Sequence, residues 1–332
     1  MTEKSKPKIA IIGAGLAGLS LARHLDESAN VILFEKSNKP GGRLSTLNEQ
    51  GFSFDHGTQF FTAKNEAFKT FVKELQLNDV VRQWDARFVE LKSGQVEIER
   101  VWDEEFPHYV GFPEMNSIPK YMAQDLDIRC NHLITHIKKI KSNWFLETAD
   151  SEFGPFDWLV IAIPAEQAND LLPKNFSLKT DLQNIMMKPC FALLLGYQDA
   201  NCFNWDAAFV SDSILSWVSV NSSKPQRGDP LAIVAMSSNE WAKDNFDKPE
   251  SIVIKEMFNE LKKISNTNLS EAIFVKLKKW KYANADRQKY AIELIDDSSK
   301  LACCGDWCIS GRVESAFMTS LNLANQLKRS YL

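Results

Sequence analysis

Three glycines, one carboxylate and one arginine near the start of the chain are spaced to hold a diphosphate and a ribose. Gly13, Gly15 and Gly18 interrupt an apolar run, Glu35 follows a second apolar run, and Arg43 follows the pair Gly41-Gly42. Gly13 permits a tight turn, Gly15 places no Cβ in the path of a pyrophosphate, and Gly18 lets a helix pack onto a strand. The start of that helix offers unpaired N–H groups and partial positive charge. Glu35 lies about twenty residues further on, where a carboxylate accepts ribose hydroxyls. The glycine turn and its acid suit NAD and FAD equally. A second glycine loop ending in a cation has no place in a simple NAD dehydrogenase. Arg43 can neutralise pyrophosphate charge or reach a flavin edge, so the pair of loops favours FAD.

The elements needed to position these residues are legible. Ile9–Ile12 reads as a buried strand, Leu16–Leu25 as a helix with apolar residues at helical spacing, and Val31–Phe34 as a second buried strand. Together they form a βαβ start. Trp158–Ile163 reads as another buried strand, leading into a helix through Leu172. Leu301–Cys304 reads as a strand before a final helix over about Val313 to Leu327. The middle differs. Phe191–Tyr197, Ile214–Val220, Leu231–Met236 and Ile273–Trp280 read as strands, with helices at Glu66–Leu77 and at Glu250–Ile264 behind Pro249. The expected fold class is α/β: a Rossmann-like FAD-binding domain of the glutathione-reductase type, with an inserted, mainly antiparallel β-sheet substrate domain. Residues 1–62, 118–172 and 298–332 are expected to form the first, and 63–117 and 173–297 the second.

Composition narrows the class further. The net charge of −4 gives no basic excess to draw nucleic acid or an anionic membrane. Six cysteines (Cys130, Cys190, Cys202, Cys303, Cys304 and Cys308) include no CxxC pair, so they read as reduced thiols and no metal site is expected. The basic Met1–Lys8 segment and the apolar Ile9–Ala22 stretch superficially suggest a leader. The functional glycine spacing and the stretch's length instead suggest a buried strand and helix in a cytoplasmic protein.

These blocks, in their order along the chain, resemble the flavin-containing amine oxidase superfamily, and more narrowly its renalase-like branch. The resemblance extends through Phe54–Thr62, Pro113–Asn116 (with Glu114 in place of glycine), Ala162–Gln167, Trp280–Ala283 (with Lys281 in place of arginine), Gly305–Cys308 and Gly311–Ala316. It implies noncovalent FAD. The implied contacts come from Gly13, Ala14, Gly15, Leu16, Ala17 and Gly18 at the first turn, from Glu35 and Lys36, and from Gly42, Arg43 and Leu44. Gly57, Thr58 and Gln59, Ile134, Ile163, and Gly305 and Asp306 complete them with Val313, Glu314 and Ala316. The Asp306 carboxylate can accept ribityl hydroxyls, and the N–H groups of the helix from Val313 would favour an anionic reduced flavin.

The resemblance further implies an oxidase. A misreduced dihydro-NAD(P) isomer would give up hydride to flavin N5, yielding NAD(P)+, and dioxygen would take the electrons to form hydrogen peroxide. Such a donor forms an aromatic cation without losing a proton from nitrogen, so no general base is required, and no catalytic side chain is assigned. His56, Gln59, Phe60, Tyr109, Trp280 and Tyr282 are the candidates to line the substrate cavity. The lysine that many amine oxidases carry on a substrate-domain strand is missing from Cys190–Tyr197, with Lys188 just before it. Another flavin amine oxidase or desaturase of the superfamily is the alternative reading, and a non-catalytic nucleotide-binding protein is a third.

Overall fold

The computed structural model describes residues 6–177, 179–198, 203–228, 230–265, 269, 271–289 and 294–331. Cys202 lies outside them. The chain divides into two compact units. Unit 1 comprises 1–42, 119–187 and 284–332; unit 2 comprises 43–118 and 188–283. The segments expected to end at 62 and 172 and to begin at 298 end at 42 and 187 and begin at 284 in unit 1.

Unit 1 is built on a six-stranded sheet. β1 (Lys8–Ile12) runs parallel to β2 (Asn30–Phe34) on one side and to Trp158–Ile161 on the other. Asp127–Arg129 extends the sheet beyond β2, Leu301–Cys303 extends it beyond Trp158–Ile161, and antiparallel Leu294–Asp296 closes that edge. The parallel strands are runs of Ile, Val, Leu and Ala because helices cover such a sheet on both faces. In β1, Ile9, Ala10 and Ile11 are wholly enclosed. Helix α1 (Leu16–Leu25) packs beside the C-terminal helix Val313–Ser330, where the Ser320 hydroxyl donates to the Ala17 carbonyl at 2.8 Å. A separate antiparallel sheet, His136–Ile140, Asn143–Glu147 and Glu152–Phe156, completes this unit.

Unit 2 is organised by a seven-stranded sheet. Its order is Phe274–Ala285, Met187–Tyr197, Leu231–Ser237, Leu215–Val220, Ala207–Ser211, Arg87–Lys92, Gln95–Val101. Pairing is antiparallel through most of it, but Ala207–Ser211 runs parallel to Arg87–Lys92. Strand alternation produces two faces. Phe191, Leu193, Ile233, Val218 and Val210 point into a core shared with Val253, Met257 and Leu261 of the helix Glu250–Ser265. The opposite face carries Ala192, Leu194, Ala232 and Val234 against Phe52, Phe54 and Phe274. Gly196 is required there, because a Cβ would meet the Phe52 ring at 2.7 Å. The helix Glu66–Leu77 has the expected bounds, capped by Asn65, whose side chain accepts the Ala67 N–H at 2.9 Å. No helix among the described residues is long and apolar enough to cross a membrane.

Candidate functional site

In unit 1 the glycine turn makes an open cradle whose shape follows from which Cβ positions are blocked. Gly13 has φ +103°, and a Cβ there would meet the Ala162 carbonyl oxygen at 2.6 Å and Ile163 Cγ2 at 2.8 Å. A Cβ on Gly18 would strike the Gly13 carbonyl oxygen. Both positions are therefore dictated by protein packing. Gly15 differs: a Cβ there would meet nothing within 4 Å, so no protein contact demands glycine. The Gly41 N–H donates to the Ala14 carbonyl at 2.9 Å, and Gly42, with φ +54°, lies against Gly15, its Cβ position 3.5 Å from the Gly15 Cα. The second glycine loop is thus brought over the first. The open ground at Gly15, the uncapped start of α1 with Leu16 and Ala17, and the absence of an acid in its first turn fit a diphosphate.

Glu35 is buried and anchors this turn. Its carboxylate accepts the Ala14 N–H at 3.0 Å and the Ser37 N–H at 2.9 Å, and Lys36 beside it points to solvent. The Glu35 carbonyl accepts the His132 N–H at 2.9 Å, which draws the loop carrying buried Ile134 to the same place. Ile163 lies at the end of the neighbouring strand, and its carbonyl accepts the Trp307 indole N–H at 3.1 Å. Gly305 allows that indole to lie where a Cβ would be, and Asp306 is buried immediately after it. The helix from Val313 begins behind Arg312 without a side-chain cap. The N–H groups of Val313, Glu314 and Ser315 therefore lack i−4 partners within the helix, whereas that of Ala316 donates to the Arg312 carbonyl.

Unit 2 gathers a second set. Gly57 packs on the Arg43 backbone, the Thr58 N–H donates to the Arg43 carbonyl at 2.9 Å, and Leu44 beside it is buried. The Arg43 guanidinium donates to the Ala283 carbonyl at 3.0 Å, next to Tyr282. His56 stacks on Trp280 with centroids 5.4 Å apart, and the Trp280 indole donates to the His56 carbonyl at 2.8 Å. Tyr282 is half-buried two residues on, under the Lys281 ammonium at 5.4 Å. Tyr109 pairs through its backbone with Phe61, and burial raises its phenol pKa. Phe60 points elsewhere, into rings of Trp102, His108 and Trp217.

Gln59 is buried with its amide engaged at both ends. Its Nε2 donates to the Asp55 carbonyl at 2.5 Å and the Gly57 carbonyl at 3.1 Å, and its Oε1 accepts the Ser219 hydroxyl at 2.8 Å. This tether shapes the segment from His56 to Phe60. Ser219 lies too far along the chain for the sequence to have linked it to Gln59.

The same holds for the charges under that segment. The fully buried Asp55 carboxylate accepts from Lys224 Nζ at 3.2 Å, Arg227 at 2.5 Å, the Thr46 hydroxyl at 2.7 Å and the Met115 N–H at 3.0 Å. Burial alone would push the Asp55 carboxyl up, but Lys224 and Arg227, together with the Thr46 hydroxyl and the Met115 N–H, more than offset it and hold it below the usual range. Burial pushes the Lys224 ammonium down to about 8 against the attraction of Asp55. The five described cysteines are free thiols, and among the described residues no cluster of His, Cys, Asp or Glu is placed to hold a metal.

Comparison with known proteins places these features in a family. Residues 84–328 match the model for flavin containing amine oxidoreductase, and residues 11–75 match that for an NAD(P)-binding Rossmann-like domain. Among curated proteins, prenylcysteine oxidase 1 of Bos taurus is 44% identical over 77 residues, 22% of this chain and 15% of that one. The 4,4'-diapophytoene desaturase (4,4'-diaponeurosporene-forming) of Staphylococcus aureus is 36% identical over 81 residues, 21% of this chain and 16% of that one. The matches thus span about a sixth of the length of these relatives. Among solved structures, a protein assigned as a protoporphyrinogen oxidase from Exiguobacterium sp. 255-15 aligns over 98% of this chain and 100% of its own, with TM-score 0.82 and 12% identity. Wild-type putrescine oxidase bound to putrescine aligns over 98% and 99%, with TM-score 0.74 and 12% identity.

Proposed function

Since the chain belongs to the flavin-containing amine oxidoreductase family, whose members use FAD, we propose that it is an FAD-dependent oxidase of a dihydronicotinamide nucleotide. Bound FAD, held noncovalently, supplies hydride acceptance at N5, with dioxygen as the electron acceptor giving hydrogen peroxide. The substrate is a misreduced isomer of NAD(P)H, returned as NAD(P)+.

The observation that carries this reading is how the candidate substrate residues of unit 2 are engaged. His56 lies under Trp280, Gln59 is bonded at both ends of its amide, and the burial-raised Tyr109 phenol keeps its proton at neutral pH. Gln59 and Tyr109 position and enclose, and neither is a base at neutral pH. A dihydropyridine becomes an aromatic cation by losing hydride alone, so it asks for orientation and exclusion of water. A protonated amine must also lose a proton. On the nucleotide side, Gly13, Ala14, Gly15, Leu16, Ala17, Gly18, Glu35, Gly42 and Ile134 would hold the adenosine diphosphate half of FAD. Also in unit 1, Ile163, Asp306 and the helix start at Val313, Glu314 and Ala316 would serve the remainder, and in unit 2 Arg43, Leu44, Gly57 and Thr58 are the candidates for FAD contact.

Anaerobic mixing tests the reading. Isomerised NADH is expected to bleach the flavin rapidly while amines leave it oxidised; bleaching by amines alone would overturn it. The prenylcysteine oxidase and desaturase matches support a second reading, an oxidase or desaturase acting on a larger apolar substrate. Failure of both isomerised NADH and amines to bleach the flavin would favour it.

A further inference from the structure

The face of the unit 2 sheet turned away from its helices ends in a wall of aromatic rings. The Phe60 ring lies 4.9 Å from Trp102, 5.2 Å from His108 and 5.1 Å from Trp217. Trp102 lies flat on His108, with centroids 3.7 Å apart and planes within 7°. It is also nearly parallel to Trp217, at 6.2 Å and 18°, and to Phe88, at 5.2 Å and 21°. Trp102 is buried with its indole N–H unpartnered, but Phe60, His108 and Trp217 are only half-buried, so ring surface remains accessible. The rings are held in place. Trp217 sits two residues before Ser219, whose hydroxyl bonds the amide of Gln59, the residue preceding Phe60.

Charge around this wall is mixed on its buried side, where Lys224 lies over Trp84 behind Trp102, and acidic on the exposed loop at 103–105. The Arg100 guanidinium sits over Phe88 at 4.8 Å, so one ring of the cluster already takes a cation, and Glu90 lies 3.6 Å from Arg100. The loop joining Trp102 to His108 carries Asp103, Glu104 and Glu105, and the flat stack pins both its ends to the wall. Asp103 caps that loop by accepting the Glu105 and Phe106 N–H groups. Glu104 and Glu105 are exposed, with no ion pair among the described residues. Electron-rich ring faces and an acidic fringe both favour a cation over an anion.

We propose that Phe60 and Trp217, backed by the buried Trp102, form a recognition surface for an organic monocation, with the acidic loop at 103–105 raising its local concentration. The oxidase reading above enters only in deciding which cation. Under it the ligand is the pyridinium ring formed by hydride loss; under the alternative it is a protonated amine.

The probes are 1-methylnicotinamide, uncharged nicotinamide and butylammonium, titrated into FAD-loaded protein by calorimetry. The cationic ring is expected to bind about five- to thirtyfold more tightly than nicotinamide. Trp217→Leu is expected to remove that preference, and Trp217→Phe to restore part of it. Glu104→Gln combined with Glu105→Gln, both at the surface and harmless to folding, is expected to weaken the cations severalfold and leave nicotinamide unchanged. A tighter 1-methylnicotinamide identifies the pyridinium as the ligand, and a tighter butylammonium the amine; either supports the surface. Equal binding of charged and uncharged rings, or no response to the glutamate pair, would overturn it. If cations bind as described while no dihydronicotinamide reduces the flavin, the surface stands and the oxidase reading falls.

Discussion

Replacing Lys224 by methionine isolates the energetics of the buried charges beneath the candidate site. Lys224 is enclosed, with Asp55 and Arg227 as its charged neighbours. Its ammonium titrates at about 8 in the folded chain against a reference of 10.5. That difference corresponds to ~3 kcal/mol at 1.36 kcal/mol per unit. The sign follows from proton counting. Below pH 8 folded and unfolded chains both carry the charge, and folding bears its full burial cost. As pH rises through 8 the folded chain releases the proton first, while the unfolded chain keeps it until about 10.5, so the unfolded state binds more protons and stability rises. Methionine matches the stem without the charge and leaves Asp55 with Arg227, Thr46 and Met115. Urea unfolding of FAD-loaded wild type and Lys224→Met at several pH values between 7.5 and 10.5 gives a double difference in which shared titrations cancel. The wild type is expected to gain ~3 kcal/mol on the variant across that window. Parallel curves would refute the burial argument, and a variant that gains on the wild type would reverse its sign.

Three further outcomes follow from the site geometry. Gly15→Ala meets open space, so the apo-protein is expected to keep its stability within about 0.5 kcal/mol while FAD retention on gel filtration falls; unchanged retention would remove Gly15 from the phosphate cradle. Gly18→Ala collides with the Gly13 carbonyl and is expected to destabilise the chain with or without FAD, read by thermal unfolding. Arg43→Ala is expected to release FAD more readily in equilibrium dialysis; unchanged affinity would leave Arg43 as a turn residue tied to Ala283.

Where local pattern and burial coincide, the sequence could be read. β1, α1, β2 and the helix Glu66–Leu77 each carry a repeat matched to the face they bury. The hairpin Arg87–Lys92 and Gln95–Val101 is weakly marked because its outer strand, QVEIERV, alternates Val96 and Ile98 with charged residues yet is exposed throughout. The helix Asn239–Asn245 is too short for its period to stand out, although Ser238 caps it. Segment 43–62 lies among the nucleotide-binding motifs in the sequence, and those motifs alone group it with the first domain. Its strands Thr46–Glu49 and Phe52–Asp55 instead pair with each other, and Phe52 and Phe54 join the core of unit 2.

The glycines show most directly what belongs to each level. Sequence alone marked Gly13, Gly15 and Gly18 as a dinucleotide turn, because spacing, strand and helix are local properties of a dozen residues. It could not tell that Gly13 and Gly18 answer to contacts within the protein while Gly15 answers to none, since that depends on Ala162 and on a loop that returns with Gly42. The same distinction divides unit 2. The segment from His56 to Phe60 was visible as a motif. That Gln59 is bonded to Ser219, and that Lys224 and Arg227 share the carboxylate of Asp55, was settled only when the strands folded together. Charges and amides have no periodicity along a chain; their partners are chosen by burial, where an unpaired polar group is costly.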